Sequence, residues 1–379
     1  MIDELRGKID EIDDRIARLY DERMALVKEI AIEKQRNSGG VFDGSREKSI
    51  INRVTGQVHP DITVFTKQVF ETLFETSKAY QSRFVQRESA LSKKLREAVE
   101  NPAVFPTRAT VACQGVEGAF SSLAAERLFE ISDTTYCKSF EAVFNAVEKG
   151  LCDYGVLPIE NSTAGSVNAV YDLMKEHKFY VVRSIKQKVS HNLLTNKGAS
   201  LKDIKEIITH EQAISQCSVF LKKLPASVKI TPVSNTASAA QEIALSGRND
   251  IACISSRRCA DIYGLSITEA NIQNLDNNYT RFICISKKME IFEHSDKISI
   301  MVNLPNEKGS LNKLLNKFSV LGLNLTKLES RPLYNTEFEF MFYFDFDGDP
   351  KKAEVQSLLA ELDANMSQFV FLGSYKEIQ

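Results

Sequence analysis

Leu5, Ile9, Ile12, Ile16, Leu19, Leu26 and Ile30 form one apolar heptad stripe, spaced by fours and threes. This predicts a single long helix from about Asp3 to about Gln35. Arg23 breaks the stripe where an apolar residue belongs. Burying a guanidinium without an anion is costly, so Arg23 calls for a partner, either an internal carboxylate or an anionic ligand. Gly39-Gly40 ends the segment. A short second helix begins at Asp43, with Asp43, Arg46 and Glu47 on one face. Pro60-Asp61 opens a third, whose inner side carries Val69, Leu73, Ser77 and Gln81. Ser77 and Gln81 interrupt apolar positions and aim polar groups at a core. Val85 to Val99 reads as a charged helical continuation, and Asn101 through Pro106 as a linker.

Past the linker the period changes. Ala109–Cys113 reads as a buried strand, followed by a glycine turn and a helix from Ser122 to Phe129. A dinucleotide fingerprint would need a third glycine and an acidic residue about 20 residues on, so the turn alone does not make one. Thr135–Cys137, Phe140–Lys149, Tyr154–Leu157 and Val167–Lys175 continue the strand–helix alternation. Val181 to Leu194 is a long extended run, read as a crossing into a second lobe. That lobe repeats the alternation through Ile204–Thr209, Glu211–Lys222, Ile230–Val233, Asn235–Ser246, Asp250–Ile254 and Arg257–Tyr263. Thr280–Ser286 returns as a strand to the first lobe. Two α/β lobes with two crossings describe a periplasmic-binding-protein-like cleft, with ligands at the strand C-terminal ends. From residue 297 to 376 the order is βαββαβ, a ferredoxin-like arrangement. Within it Phe338, Phe340, Phe342, Phe344 and Phe346 alternate as one aromatic strand face, read as core. The chain is thus read as three domains: an all-helical one over 1–100, a two-lobed α/β one over 107–286 and an α+β one over 297–376.

Composition narrows the function classes. Hydrophobic residues are 43% and charged ones 26% of 379 residues, with net charge −2 and pI near 6.3. No basic surplus points to nucleic acid or a membrane surface. No stretch approaches the roughly 20 apolar residues of a span. The acidic N-terminus is no signal peptide, so a cytoplasmic protein is expected. Cys113, Cys137, Cys152, Cys217, Cys253, Cys259 and Cys284 show neither CxxC pairs nor His-spaced clusters. They are expected as reduced core thiols, with no metal and no cofactor.

Two runs carry candidate chemistry. In Pro158-Ile159-Glu160-Asn161-Ser162-Thr163-Ala164-Gly165, Asn, Ser and Thr donors sit at a strand-to-helix turn, a combination suited to anions. In Tyr279-Thr280-Arg281-Phe282 a hydroxyl stands beside a fixed cation at a strand edge. His210, Glu211 and Gln212 read as an exposed turn, and His191 as a core imidazole. Together the two runs resemble the dehydratase domain of prephenate dehydratases. That implies Thr280 as donor to the leaving hydroxyl, Arg281 on the pyruvyl carboxylate, and Asn161, Ser162, Thr163 and Phe282 in substrate binding. Ala119 departs from the family's Ser or Thr and leaves Ser121 as the turn's hydroxyl.

The helical segment resembles the all-helical chorismate mutases. The resemblance implies a set of Arg6, Arg23, Lys34, Asp43, Arg46, Glu47, Ser77 and Gln81. The arginines would clamp carboxylates, Lys34 and Gln81 would donate to the ether oxygen, and Glu47 with Asp43 would hold the ring hydroxyl. Arg6 and Lys34 are 28 residues apart, about 42 Å along a helix rising 1.5 Å per residue. Both can reach one small ligand only if Arg6 comes from a second protomer, which makes the domain a homodimer with shared pockets. The C-terminal unit resembles an ACT domain. Gly309-Ser310-Leu311 and Glu329-Ser330-Arg331-Pro332 match its phenylalanine-binding motifs, with Asn324 nearby. The implied reading is a homo-oligomeric chorismate mutase/prephenate dehydratase inhibited by L-phenylalanine. A dehydratase with a merely dimerising helical domain, and a non-catalytic amino-acid sensor, are the alternatives.

Overall fold

The computed structural model describes residues 1–36, 44–81, 83–84, 89–333 and 339–379. Gly39, Gly40, Asp43 and Phe338 therefore lie outside the described residues. The chain divides into two compact units, each built from two stretches: 1–100 with 298–371, and 101–297 with 372–379.

The first unit opens with α1 (Ile2–Arg36), whose own buried residues are Val27 and Ala31. The seven stripe residues instead stand 45% to 61% exposed on the single chain. α2 (Gly44–Thr55) and α3 (Thr63–Gln81) pack against each other, and α3 also packs on α1. Of the helix expected over Val85–Val99, residues 85–88 lie outside the described ones, and α4 runs Ala90–Glu100. Ser89 and Ser92 cap it reciprocally, Ser92 N donating to Ser89 Oγ at 3.0 Å and Ser89 N to Ser92 Oγ at 2.7 Å. That box fixes a helix start which charge patterning alone does not show.

The rest of this unit follows the order strand Lys297–Asn303, helix Ser310–Val320, strands Leu325–Pro332 and Phe340–Asp347, helix Ala353–Asn365, strand Phe369–Ile378. Phe318 stacks against Phe344 and Phe346, both fully buried, so this half of the aromatic ladder is core. Phe340 at its other end is 39% exposed. The two helices lie against α3 and α4 respectively.

The second unit has two sheets. In the first lobe the strand order is Tyr180–Lys188, Tyr279–Ser286, Tyr154–Asn161, Arg108–Gln114, Ile131–Cys137. The last three run parallel, and Tyr279–Ser286 is antiparallel to both neighbours. Residues 376–378 add to the other edge, parallel to Arg183–Ile185. The second lobe orders Ser266–Glu269, Asn192–Thr195, Ile251–Ser255, Glu206–Thr209, Lys229–Pro232. The extended run expected over Val181–Leu194 thus breaks into two strands in different sheets, which makes it the crossing. The helix expected over Glu211–Lys222 also breaks, into Glu211–Gln216 and Ser218–Leu221.

The glycine turn serves the joint between lobes. Gly118 has φ +85, and a Cβ there would meet Cys259 Sγ at 2.8 Å. The Gly118 carbonyl accepts from Ser256 Oγ at 3.3 Å and Cys259 Sγ at 3.4 Å. Only glycine lets the second lobe's helix approach so closely. Six of the seven cysteines are buried.

Candidate active sites

In the first unit polar groups of α1 and α2 meet polar groups of α3. Arg23 Nη1 donates to Ser77 Oγ and to the Leu73 carbonyl at 3.4 Å. Among the described residues its guanidinium meets neutral acceptors and no carboxylate, so the internal ion pair left open above is not what the fold supplies. Burial pushes this guanidinium below its ordinary value, against a small opposing pull from Tyr20. Ser77 and Gln81 are buried as expected, one turn apart on α3. Glu47 comes from α2 and pairs with Lys78 Nζ at 3.0 Å.

Lys78 is a residue that pattern reading passed over. It also pairs with Glu75 at 2.8 Å, and Glu75 with Lys317 at 2.7 Å. Burial alone would raise the Glu75 carboxyl, but Lys317 and then Lys78 hold it below its ordinary value. Lys34 is half-buried and Arg46 exposed. Arg6, on the first turns of α1, is exposed and pairs with Asp3 at 3.3 Å.

In the second unit the Asn161 turn and the Thr280 strand edge adjoin, since Thr280 registers with Asn161. Asn161 is buried and uses its whole amide. Its Oδ1 accepts from Thr163 Oγ1 at 2.8 Å, Ala164 N at 2.9 Å and Thr163 N at 3.1 Å. Its Nδ2 faces Asn278 Oδ1 at 2.8 Å, Thr280 Oγ1 at 3.0 Å and the Tyr279 carbonyl at 3.2 Å. Ser162 Oγ donates to Asn277 O and accepts from Tyr279 N, both at 2.9 Å, stapling the two runs together. Gln216, from the second lobe, donates from Nε2 to Thr163 Oγ1 at 2.9 Å. Its helix reads locally as amphipathic, and nothing in its spacing points across to Thr163.

Three expected substrate contacts are placed differently. Phe282 is a core residue, packed with Cys113, Phe129 and Tyr154 beneath the site. Strand alternation turns it to the opposite face from Thr280's neighbour Arg281. Arg281 is itself buried: Nε pairs with Glu377 at 2.8 Å and Nη2 donates to Tyr375 Oη at 2.8 Å. The carboxylate beside it belongs to the chain's last strand. Burial alone would raise Glu377, but Arg281 and then Lys186 hold it below the carboxylate range. Ser121 donates to the Gln114 carbonyl at 2.7 Å, closing the end of the first strand.

Residues 5–82 match the chorismate mutase type II family and residues 111–290 the prephenate dehydratase family. A bifunctional chorismate mutase/prephenate dehydratase of Buchnera aphidicola is 32% identical over 380 residues, 98% of this chain and 95% of that one. The chain belongs to that family. It carries a chorismate mutase domain followed by a prephenate dehydratase domain. An arogenate dehydratase/prephenate dehydratase of Arabidopsis thaliana is 36% identical, over 79% of this chain and 80% of its own. Among solved structures, a prephenate dehydratase from Arthrobacter aurescens in complex with L-Phe superposes with a TM-score of 0.65 at 28% identity, covering 70% of this chain and 90% of that one. In the mutase domain the polar residues around Arg23 and Ser77 and in the dehydratase domain the Asn161–Thr280 junction are therefore the candidate sites. At the Gly309–Leu311 run, Gly309 has φ +83 and precedes the first turn of Ser310–Val320. Glu329, Ser330 and Arg331 lie on the strand Leu325–Pro332, and Asn324 just before it donates to Asp347 at 2.8 Å. Among the described residues no helix is long and apolar enough to cross a membrane.

Proposed function

We propose that this protein converts chorismate to prephenate in its helical domain and prephenate to phenylpyruvate in its two-lobed domain, under inhibition by L-phenylalanine. The observation that carries the dehydratase half is the direction of the hydrogen bonds at Thr280. Asn161 Nδ2 donates to Thr280 Oγ1, which leaves the Thr280 proton to donate to the departing C4 hydroxyl of prephenate. Loss of CO2 and hydroxide together gains aromaticity, so a positioned donor and poor solvation of the ring carboxylate are the main requirements. A hydroxyl is a weak acid, and Thr280 acts here as a donor with water behind it. Arg281, matched by Glu377, holds the strand that presents Thr280. Its placement favours that supporting role over carboxylate binding.

In the mutase the rearrangement is pericyclic and needs no nucleophile. The protein holds the compact conformer of a dianion and favours charge on the breaking ether oxygen. Arg23, half-buried with neutral partners, clamps a carboxylate; Arg46 and a second protomer's Arg6 complete the anion site. Lys34 and Gln81 donate to the ether oxygen, and Glu47 with Asp43 holds the ring hydroxyl. The exposed stripe on α1 supports the dimer, because seven large apolar residues on one helix face are costly in water.

The C-terminal βαββαβ unit is proposed as an ACT-type sensor. Gly309 lets the backbone approach phenylalanine, with Ser310, Leu311, Asn324, Glu329, Ser330 and Arg331 around it. The strand Leu325–Pro332 ends its sheet order, an edge suited to pairing with a second copy. The test is phenylpyruvate formation from prephenate by purified protein, with and without phenylalanine. Turnover that phenylalanine suppresses supports the reading; a folded, phenylalanine-binding protein that makes no phenylpyruvate refutes the dehydratase assignment.

A further inference from the structure

His191 lies at the crossing between the dehydratase lobes and is 2% exposed. Its Nε2 sits 2.8 Å from Gln216 Oε1, and its Nδ1 has no hydrogen-bond partner among the described residues. Those two facts decide the tautomer. With the proton on Nε2, His191 donates to Gln216 and the unmet Nδ1 is only a lone pair. With the proton on Nδ1, a buried N–H would have no acceptor, which folded proteins rarely tolerate. Turning the Gln216 amide around to suit that second tautomer would also take the donor from Thr163.

We propose that His191 is a positioning residue of the dehydratase, whose Nε2–H anchors the far end of a hydrogen-bond chain that reaches Thr280. The inference rests on the reading of Thr280 as donor to the leaving hydroxyl. Each link follows from the one before. His191 Nε2–H occupies Gln216 Oε1, so Gln216 presents its Nε2 to Thr163 Oγ1 at 2.9 Å. Thr163, its lone pair taken, donates to Asn161 Oδ1 at 2.8 Å. Asn161, whose Oδ1 also accepts from the Thr163 and Ala164 backbone amides, turns Nδ2 to Thr280 Oγ1 at 3.0 Å, which leaves the Thr280 proton for the substrate. Loss of the His191 link would free the Gln216 amide and loosen the Thr163 hydroxyl that it holds against Asn161. The chain also ties Gln216 of the second lobe to Thr163 of the first, so the donor is aimed when the lobes are bridged. Burial lowers the imidazole's proton affinity, outweighing the Gln216 hydrogen bond, which keeps His191 neutral.

The test compares His191→Gln with His191→Asn in the full chain. A glutamine amide nitrogen can stand where Nε2 stands; an asparagine amide falls short of Gln216. His191→Gln should keep most of kcat for prephenate. His191→Asn should lose kcat about ten- to a hundredfold with KM little changed, the scale of a small misplacement at a reacting centre. Mutase turnover of the same preparations serves as the internal standard. In parallel, 15N spectra of histidine-labelled wild-type protein, assigned by loss of one of five histidines, should show His191 as the neutral Nε2–H form. Equal kcat for the two variants, or an Nδ1–H tautomer, would overturn the proposal. A wild-type protein inactive on prephenate would overturn the underlying dehydratase reading as well, and is told apart by needing no variant.

Discussion

Replacing Asn161 by aspartate keeps the size and shape of the side chain and reverses one half of its hydrogen bonding. The acceptor half survives: three donors, Thr163 Oγ1, Thr163 N and Ala164 N, still meet an oxygen. The donor half fails, because an oxygen now faces Asn278 Oδ1, the Tyr279 carbonyl and Thr280 Oγ1. Asn278 can turn its amide and Thr280 can turn its proton, but the Tyr279 carbonyl cannot adapt. The Asn161 nitrogen has two protons to donate, so at about 1 kcal/mol for each donated bond lost, N161D should destabilise the dehydratase unit by about 2 kcal/mol at most. The rotated Thr280 proton would point at the new carboxylate instead of the substrate. Loss of one positioned donor costs roughly a hundredfold or more in kcat. Phenylpyruvate formation measures the second effect and urea unfolding the first, with mutase turnover as the control. N161D protein with wild-type dehydratase kcat would refute the donor direction assigned to Asn161, and with it the role given to Thr280.

Other outcomes follow from the same structure. Arg23→Ala should lower mutase kcat/KM by about ten- to a hundredfold, the worth of one charge-assisted contact, while prephenate turnover stays; parallel assays on chorismate and prephenate check it. Ile16→Asp places a charge in the middle of the exposed stripe and should loosen the dimer and abolish mutase activity, read by analytical ultracentrifugation beside the mutase assay. Glu377→Gln leaves the buried Arg281 without its counter-charge and should cost about 3 kcal/mol by chemical denaturation. Because the Glu377 carboxyl is held below its unfolded value, the native unit binds fewer protons there. Its stabilisation is present above that unfolded value and is lost as pH falls through the lower folded one; the acid-unfolding slope should therefore shrink in the variant.

Local pattern was a good guide where local chemistry decides. The heptad stripe gave the start of α1 to within a residue and its run as one helix, because the period is written along one segment. Arg23, Ser77 and Gln81 stood out as polar residues on apolar faces, and the fold brings Arg23 and Ser77 into contact. What escaped reading depends on distant chain. Arg281 meets Glu377 from 96 residues further on, and no spacing rule links them. Gln216 reaches Thr163 across the two lobes, a contact that no local pattern shows. The division of Val181–Leu194 between two sheets is likewise set by which partners are available, since a run of extended residues suits either. The short strand Ser266–Glu269 carries too few residues for alternation to show.

The interleaving of the two units bears on how the chain is made. Residues 298–371 belong with the helical unit, while 372–379 return to the dehydratase unit. A ribosome adding about 5–20 residues per second needs several seconds to pass the 74 residues from 298 to 371. During that interval the Tyr180–Lys188 strand waits with its outer edge uncovered, and Arg281 waits without Glu377. The dehydratase unit is thus a late folder whose completion is tied to residues that emerge after 298–371. Ribosome stalling near position 371 should leave a nascent chain whose dehydratase unit is more readily cleaved by protease than in the released protein.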